Sequence, residues 1–214
     1  MNNVRLIKAD LRAAMNGVAS RAIRESGMGY KVVFGVELPR LRQMASDFKE
    51  ANASLSQAEW RQLAQELWQE DIRECKMLAI MLHPQEEFDV DFAHIWVDSL
   101  RAEQAELAQL LAMDLLCHAA YAPEQSFLWM ADEQPMRQLC GFLTLTRLLM
   151  QGARLSPDAE AEFLDQAEAT LSTTYLPLRK AVQNALLRFG EQSDEAQHKT
   201  EHIISSHAPD HSTT

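Results

Sequence analysis

Helix-start signals recur along the whole of this chain, and no run of residues alternates apolar and polar with period two. That combination leaves little room for a sheet. Ser56 stands three residues before Glu59, the spacing of a capping box. Ser156-Pro157 places an N-cap ahead of a proline at the first helical position. Pro123, Pro135 and Pro177 each sit near a further start, and His83-Pro84 and Gln151-Gly152 read as helix ends. Between these marks Ala, Leu, Gln, Glu, Arg and Met dominate, all good helix formers. The pattern predicts helices over 3–25 (broken at Gly17), 38–51, 56–69, 71–82, 87–101, 103–121, 124–131, 134–150, 157–172 and 175–190. Gly27 to Val36 forms a glycine-marked connection. The fold class is all-α.

Short helices in succession raise the question of a repeat. Arg42, Arg73, Arg137 and Arg179 serve as register marks, at spacings of 31, 64 and 42 residues. Two residues after each come Met44, Cys75, Leu139 and Ala181, and six residues after each come Phe48, Ala79, Leu143 and Ala185. A missing mark falls near Ala105, where Leu107 and Leu111 keep the apolar offsets and the arginine is absent. A helical pair of this length cannot bury its apolar stripe alone, so neighbours stack into a solenoid. A non-repeating helical bundle satisfies the same burial rule, and periodicity does not separate the two.

Charge is unevenly placed. The net charge is −11, which argues against a uniformly basic nucleic-acid coat protein. Residues 1–49 nevertheless carry nine Lys/Arg against four Asp/Glu, a net of +5. Local field decides whether an anionic partner binds, so a basic surface is available at that end. Cys75, Cys117 and Cys140 are odd in number, share no C-x-x-C spacing and sit among apolar residues. They read as reduced, buried thiols in a reducing compartment. Met1 to Ile7 has no apolar core of the signal-peptide kind, and Leu107 to Ala122 is interrupted by Gln109, Asp114 and His118. A soluble, cytoplasmic protein with no membrane partner is expected. No GxGxxG, P-loop, HExxH or G-x-S-x-G segment is present, and neither a cofactor nor a metal is expected.

Three segments carry a family resemblance. Phe34-Gly35-Val36-Glu37-Leu38-Pro39-Arg40-Leu41-Arg42 is an aromatic-Gly-Val turn running through Pro into a helix with Arg. Glu66-Leu67-Trp68 is followed by Arg73-Glu74 and an apolar helix. Leu178-Arg179-Lys180-Ala181-Val182 runs on to Leu187-Arg188-Phe189. Together they resemble the bacterial DNA alkylation repair family, HEAT-like repeat DNA glycosylases, over residues 25–190. The resemblance implies a HEAT-like helical-repeat solenoid (an α-α superhelix), with residues 1–190 as a single repeat domain. It also implies double-stranded DNA as partner, a concave basic face on the DNA backbone, and removal of alkylated purines. In active members a Trp-Trp-Asp-like segment near mid-chain and a Trp in the last repeat line the site. Here Arg101 to Asp114 has no Trp, and Gln183 or Asn184 stands at the place of the last Trp. The expectation is a DNA-binding member with glycosylase activity weak, altered or lost. The alternative is a non-enzymatic helical-repeat scaffold for protein partners.

Asp114 and His118 are four apart, on one helical face. They form a catalytic acid with its proton partner, or half a metal site, or a solvent-facing polar strip. Arg40, Arg42, Arg73, Arg137 and Arg179 lie at or near helix starts. They contact DNA phosphates or pair with acids of neighbouring helices. Arg5, Lys8, Arg12, Arg21 and Arg24 make a basic N-terminal face that is either a backbone contact or a solvated helix side. Trp60, Trp68, Trp96 and Trp129 read as packing residues. The stretch 191–214 reads as a disordered acidic tail, and its His198, His202, His207 and His211 suggest a metal site only if the segment is helical.

Overall fold

The structure is a computed structural model and describes residues 3–207. Among these, the helices are α1 (Asn3–Ala13), α2 (Gly17–Glu25), α3 (Leu38–Ala51), α4 (Gln57–Gln69), α5 (Arg73–Leu82), α6 (Val90–Asp98), α7 (Ala105–Asp114), α8 (Ala122–Met130), α9 (Pro135–Met150), α10 (Pro157–Thr170), α11 (Leu176–Gly190) and α12 (Asp194–Ser206). The described residues contain no strand, only an isolated bridge between Val32 and Ile72. The all-α expectation holds. The chain divides after Ala119 into two compact units, a boundary inside the stretch read as one repeat domain.

Local chemistry explains the helix starts. Ser56 and Glu59 form the reciprocal capping box at α4. Ser156 accepts a bond from the Ala159 amide, with Pro157 opening α10. The break expected at Gly17 falls just before it, where Asn16 caps α2 through the Val18 and Ala19 amides.

In the first unit α5 is the central helix, packed against α3, α4 and α7. Its residues from Cys75 to Leu82 are buried except Lys76. The Trp68 and Trp96 rings stack 4.2 Å apart, and the Trp68 indole N–H donates to Ser99 Oγ at 3.0 Å. In the second unit α9 packs against α8 and α11, and α11 against α10 and α12. Gly141 permits the α8–α9 approach, because a Cβ there would lie 2.7 Å from the Ser126 carbonyl oxygen. The arginine-marked helices are therefore neighbours within their units: α3 and α5 in one, with α7, whose mark is missing, packed on α5, and α9 and α11 in the other.

Two sequence expectations need correction. The helix predicted over 103–121 ends at Asp114, where Leu115 leaves helical geometry, and Leu116–His118 forms a 3-10 turn. The stretch from Glu191, expected as a disordered tail, contains α12. Ser193 caps it, and Ala196, Thr200 and Ile203 are buried at helical spacing. A narrow stripe of small and apolar residues is enough to dock a helix whose average composition is polar. His211 lies outside the described residues. His198 and His202 are exposed on α12, and the described residues contain no group of three His, Cys, Asp or Glu able to hold a metal. No helix among them is long and apolar enough to cross a membrane.

The glycine-marked connection is buried from Val33 to Val36. It is held by Glu74, whose side chain is 0% exposed. Its carboxylate accepts the amides of Phe34 (2.9 Å), Gly35 (2.8 Å) and Val36 (3.3 Å). Ser20 Oγ donates to the Val33 carbonyl at 2.7 Å on the other side. Gly35 has φ +75, and a Cβ there would meet the Asn16 carbonyl oxygen and the Ser20 amide nitrogen at 2.4 Å. Removing one member of such a buried charged network costs about 3–5 kcal/mol. Glu74→Gln and Gly35→Ala are each expected to lower the unfolding free energy strongly in urea titrations. A loss below about 1 kcal/mol in Glu74→Gln, the scale of one ordinary hydrogen bond, would show that the carboxylate does not hold this segment.

Candidate functional site

α3 carries two cations seven residues apart, Arg42 and Lys49, a spacing that returns to the same helix face. Both line a cavity of about 830 Å³ in the first unit. Trp60 of α4, His83 at the end of α5, Asp114 at the end of α7 and His118 beyond it line it too. The remaining wall mixes apolar side chains, among them Leu82, Met113 and Leu115, with polar ones such as Ser56, Gln85 and Glu86.

Asp114 is the last residue of α7, and a carboxylate at a helix C-terminus is disfavoured by the backbone dipole. Arg42 offsets this. Its Nη1 and Nη2 donate to the two Asp114 oxygens at 2.6 and 2.8 Å. The Gln85 side-chain amide donates to the Asp114 carbonyl at 2.9 Å and satisfies one group of the open helix end. Arg42 is 43% exposed and Asp114 14%. The outer side of the Arg42 guanidinium is thus open to an anion arriving from solvent. Lys49 has no ion pair among the described residues. Burial lowers its pKa, opposed by Asp114 and assisted by Arg42.

His83 is buried in aromatic surroundings. The rings of Phe88, Phe92 and Trp96 face it edge-on at 5.1, 5.6 and 5.5 Å. Its Nδ1 lies 2.8 Å from the Pro84 carbonyl, a contact that requires the proton on Nδ1. Nε2 is buried without a hydrogen-bond partner.

The structure brings Asp114 and His118 to one cavity, not to one helical face, because α7 ends between them. Arg42 joins them. Arg73 does not, which corrects its reading as a phosphate contact. It is buried, and its Nε and Nη2 donate to the two Glu106 oxygens, both at 2.8 Å. Its Nη1 faces the Val36 carbonyl and Glu74, each at 3.3 Å. Burial penalises its charge, but Glu106 and Glu74 outweigh that and raise its pKa. Arg137 pairs with Asp132 at 2.8 Å. Arg40 and Arg179 are exposed. Of the tryptophans, Trp68, Trp96 and Trp129 are buried. Trp60, read from its spacing as packing, makes an edge contact with Phe48 at 5.9 Å and also lines the cavity. Lys49 and Trp60 are the cavity residues that sequence reasoning missed, and nothing in their spacing marks them.

Among known structures, one is similar to this chain with a TM-score of 0.76 at 18% identity, covering 94% of this chain and 81% of the other. It is described as a new family of proteins related to the HEAT-like repeat DNA glycosylases, with affinity for branched DNA structures. The likeness establishes the fold as a HEAT-like helical repeat. Residues 7–209 match the family model described as DNA alkylation repair enzyme, and the chain belongs to that family. A search of the curated proteins found no match.

Burial lowers the His83 pKa below its usual 6.5. The Pro84 carbonyl raises it, Arg61 lowers it, and Glu87 and Asp89 raise it. A histidine with a depressed folded pKa binds its proton more readily when unfolded, so stability is present above 6.5 and lost as pH falls. The wild-type unfolding free energy is expected to fall from pH 6.5 downward more steeply than that of His83→Gln. Parallel curves in urea denaturation across that window would contradict the assignment.

Proposed function

We propose that the protein binds DNA through its phosphate backbone at the cavity of the first unit, and that its alkylated-purine glycosylase activity is weak or lost. Family membership supports a DNA partner. The similar structure's described affinity for branched DNA favours a branched form as the target. The observation that carries the reading is the bidentate Arg42–Asp114 pair beside the unpaired Lys49. It presents cations to an incoming phosphate, and Arg42 stands in the N-terminal quarter with its net charge of +5. The exposed Arg40 and Arg179 are further phosphate contacts in this reading.

The same pair supports reduced glycosylase chemistry. A carboxylate that stabilises positive charge on a departing sugar acts best when uncompensated. Asp114, the acid proposed here for that role with His118 beside it, has both oxygens on Arg42. The segment from Arg101 to Asp114 also offers no tryptophan.

A protein-scaffold reading has its own observation. In the second unit Phe127 and the exposed Leu128 lie in a cleft with Glu124, Asp158 and Glu162, which would repel DNA.

The test is binding of labelled three-way junction and linear duplex at two salt concentrations. Junction binding is expected to be the tighter and to weaken steeply with salt, with Arg42→Ala lowering both affinity and salt slope. Base release from alkylated duplex is expected to be slight. No binding to either DNA at low salt overturns the DNA reading and leaves the scaffold reading standing.

A further inference from the structure

We infer that the cavity of the first unit accepts an unpaired nucleotide, with its phosphate taking Arg42 away from Asp114 and its base lying against Trp60. This rests on the DNA-binding reading and adds what part of DNA enters and what moves when it does.

Four observations converge on that chemistry. First, the volume of about 830 Å³ falls in the range of small-molecule sites and is ample for one nucleotide. Second, the cationic side is supplied by α3 alone, with Arg42 and Lys49 on one face and Lys49 unpaired among the described residues. Asp114 already compensates Arg42, and the exposed Glu86 stands at the same cavity. An anion must therefore displace Asp114 to gain full use of Arg42. Third, Trp60 brings an indole to a cavity whose other walls mix polar side chains with aliphatic ones such as Leu82, Met113 and Leu115. Stacking on an aromatic face is the sequence-tolerant way to hold an unpaired base. Fourth, Asp114 does not need Arg42 to hold the end of α7, because Gln85 already serves its carbonyl. The carboxylate can lose its partner without α7 unwinding.

The ligand class follows. A base inside a duplex is stacked between its neighbours and cannot reach an indole in a cavity, whereas a base at a branch point or strand end can. An unpaired nucleotide supplies both a phosphate for the cations and a π face for the indole. A duplex backbone supplies only the first.

The exchange of partners makes a signature that simple charge attraction shares only in part. Arg42→Ala and Lys49→Ala remove cations and weaken binding. Asp114→Asn removes the internal competitor and tightens binding. Trp60→Leu weakens nucleotide binding and leaves inorganic phosphate binding unchanged.

The experiment titrates the full chain with thymidine 5′-monophosphate, thymidine and inorganic phosphate, following the four indole N–H resonances by NMR. The Trp60 resonance is assigned by its loss in Trp60→Phe. Thymidine monophosphate is expected to shift that resonance and to bind at least about tenfold tighter than thymidine or phosphate, consistent with the worth of one stacked base. Asp114→Asn is expected to bind it several-fold tighter than wild type. Equal affinity for thymidine monophosphate and phosphate overturns the nucleotide assignment. Weaker binding by Asp114→Asn overturns the exchange. If junction DNA binds and the mononucleotide leaves Trp60 unmoved, this inference falls and the DNA-binding reading survives. If neither binds, both fall.

Discussion

The first unit depends on one buried carboxylate. Glu74 stands at the start of α5 and accepts three successive amides from a connection that has no helical partners for them. Buried amides without partners are costly, and a buried carboxylate without donors is costlier still. Each resolves the other. Arg73 completes the arrangement by bridging Glu74 to Glu106 on α7. Tyr30 donates to the same Glu106 at 2.9 Å, and its pKa is raised by burial and by Glu106, which keeps the phenol a donor. One hydrogen-bonded network thus ties the connection, α5 and α7 together.

That network sets where the cavity residues stand. The connection leads directly into α3, so the placing of Phe34 to Val36 also places Arg42 and Lys49. α7 is held by Arg73 through Glu106 near its start, and it ends at Asp114. The Arg42–Asp114 pair is therefore formed by two helices that are both anchored elsewhere. This separates the roles of the arginines. Arg73 is withdrawn into the structure and holds it, whereas Arg42 is left partly exposed at the cavity.

Much of the architecture was legible in the sequence. Helix starts are local events decided within four residues, so Ser56 with Glu59 and Ser156 with Pro157 announced α4 and α10 unaided. The repeat register was legible for the same reason. An arginine and two apolar offsets recur because each second helix meets the same kind of neighbour, and α3, α5, α9 and α11 all carry the mark. The end of α7 was not legible. Nothing in Asp114-Leu115-Leu116 breaks a helix by propensity, and the turn is stabilised by packing and by the Gln85 bond. α12 was missed because a three-residue stripe of Ala196, Thr200 and Ile203 vanishes in the average of a polar segment.

By itself, the sequence determined the all-α class and most helix boundaries, which rest on local capping chemistry and short-range periodicity, while three motifs carried the resemblance to the family and its repeat fold. It also singled out Arg42, Asp114 and His118. Only the tertiary structure decided which arginine is structural and which faces the cavity, since an Arg at a helix start has the same local signature in either case. It alone placed Arg42 on Asp114, 72 residues away in sequence, and brought Lys49 and Trp60 beside them. Such neighbours share no sequence spacing, because the packing of separate helices, not the period of any one of them, sets the distance between their side chains.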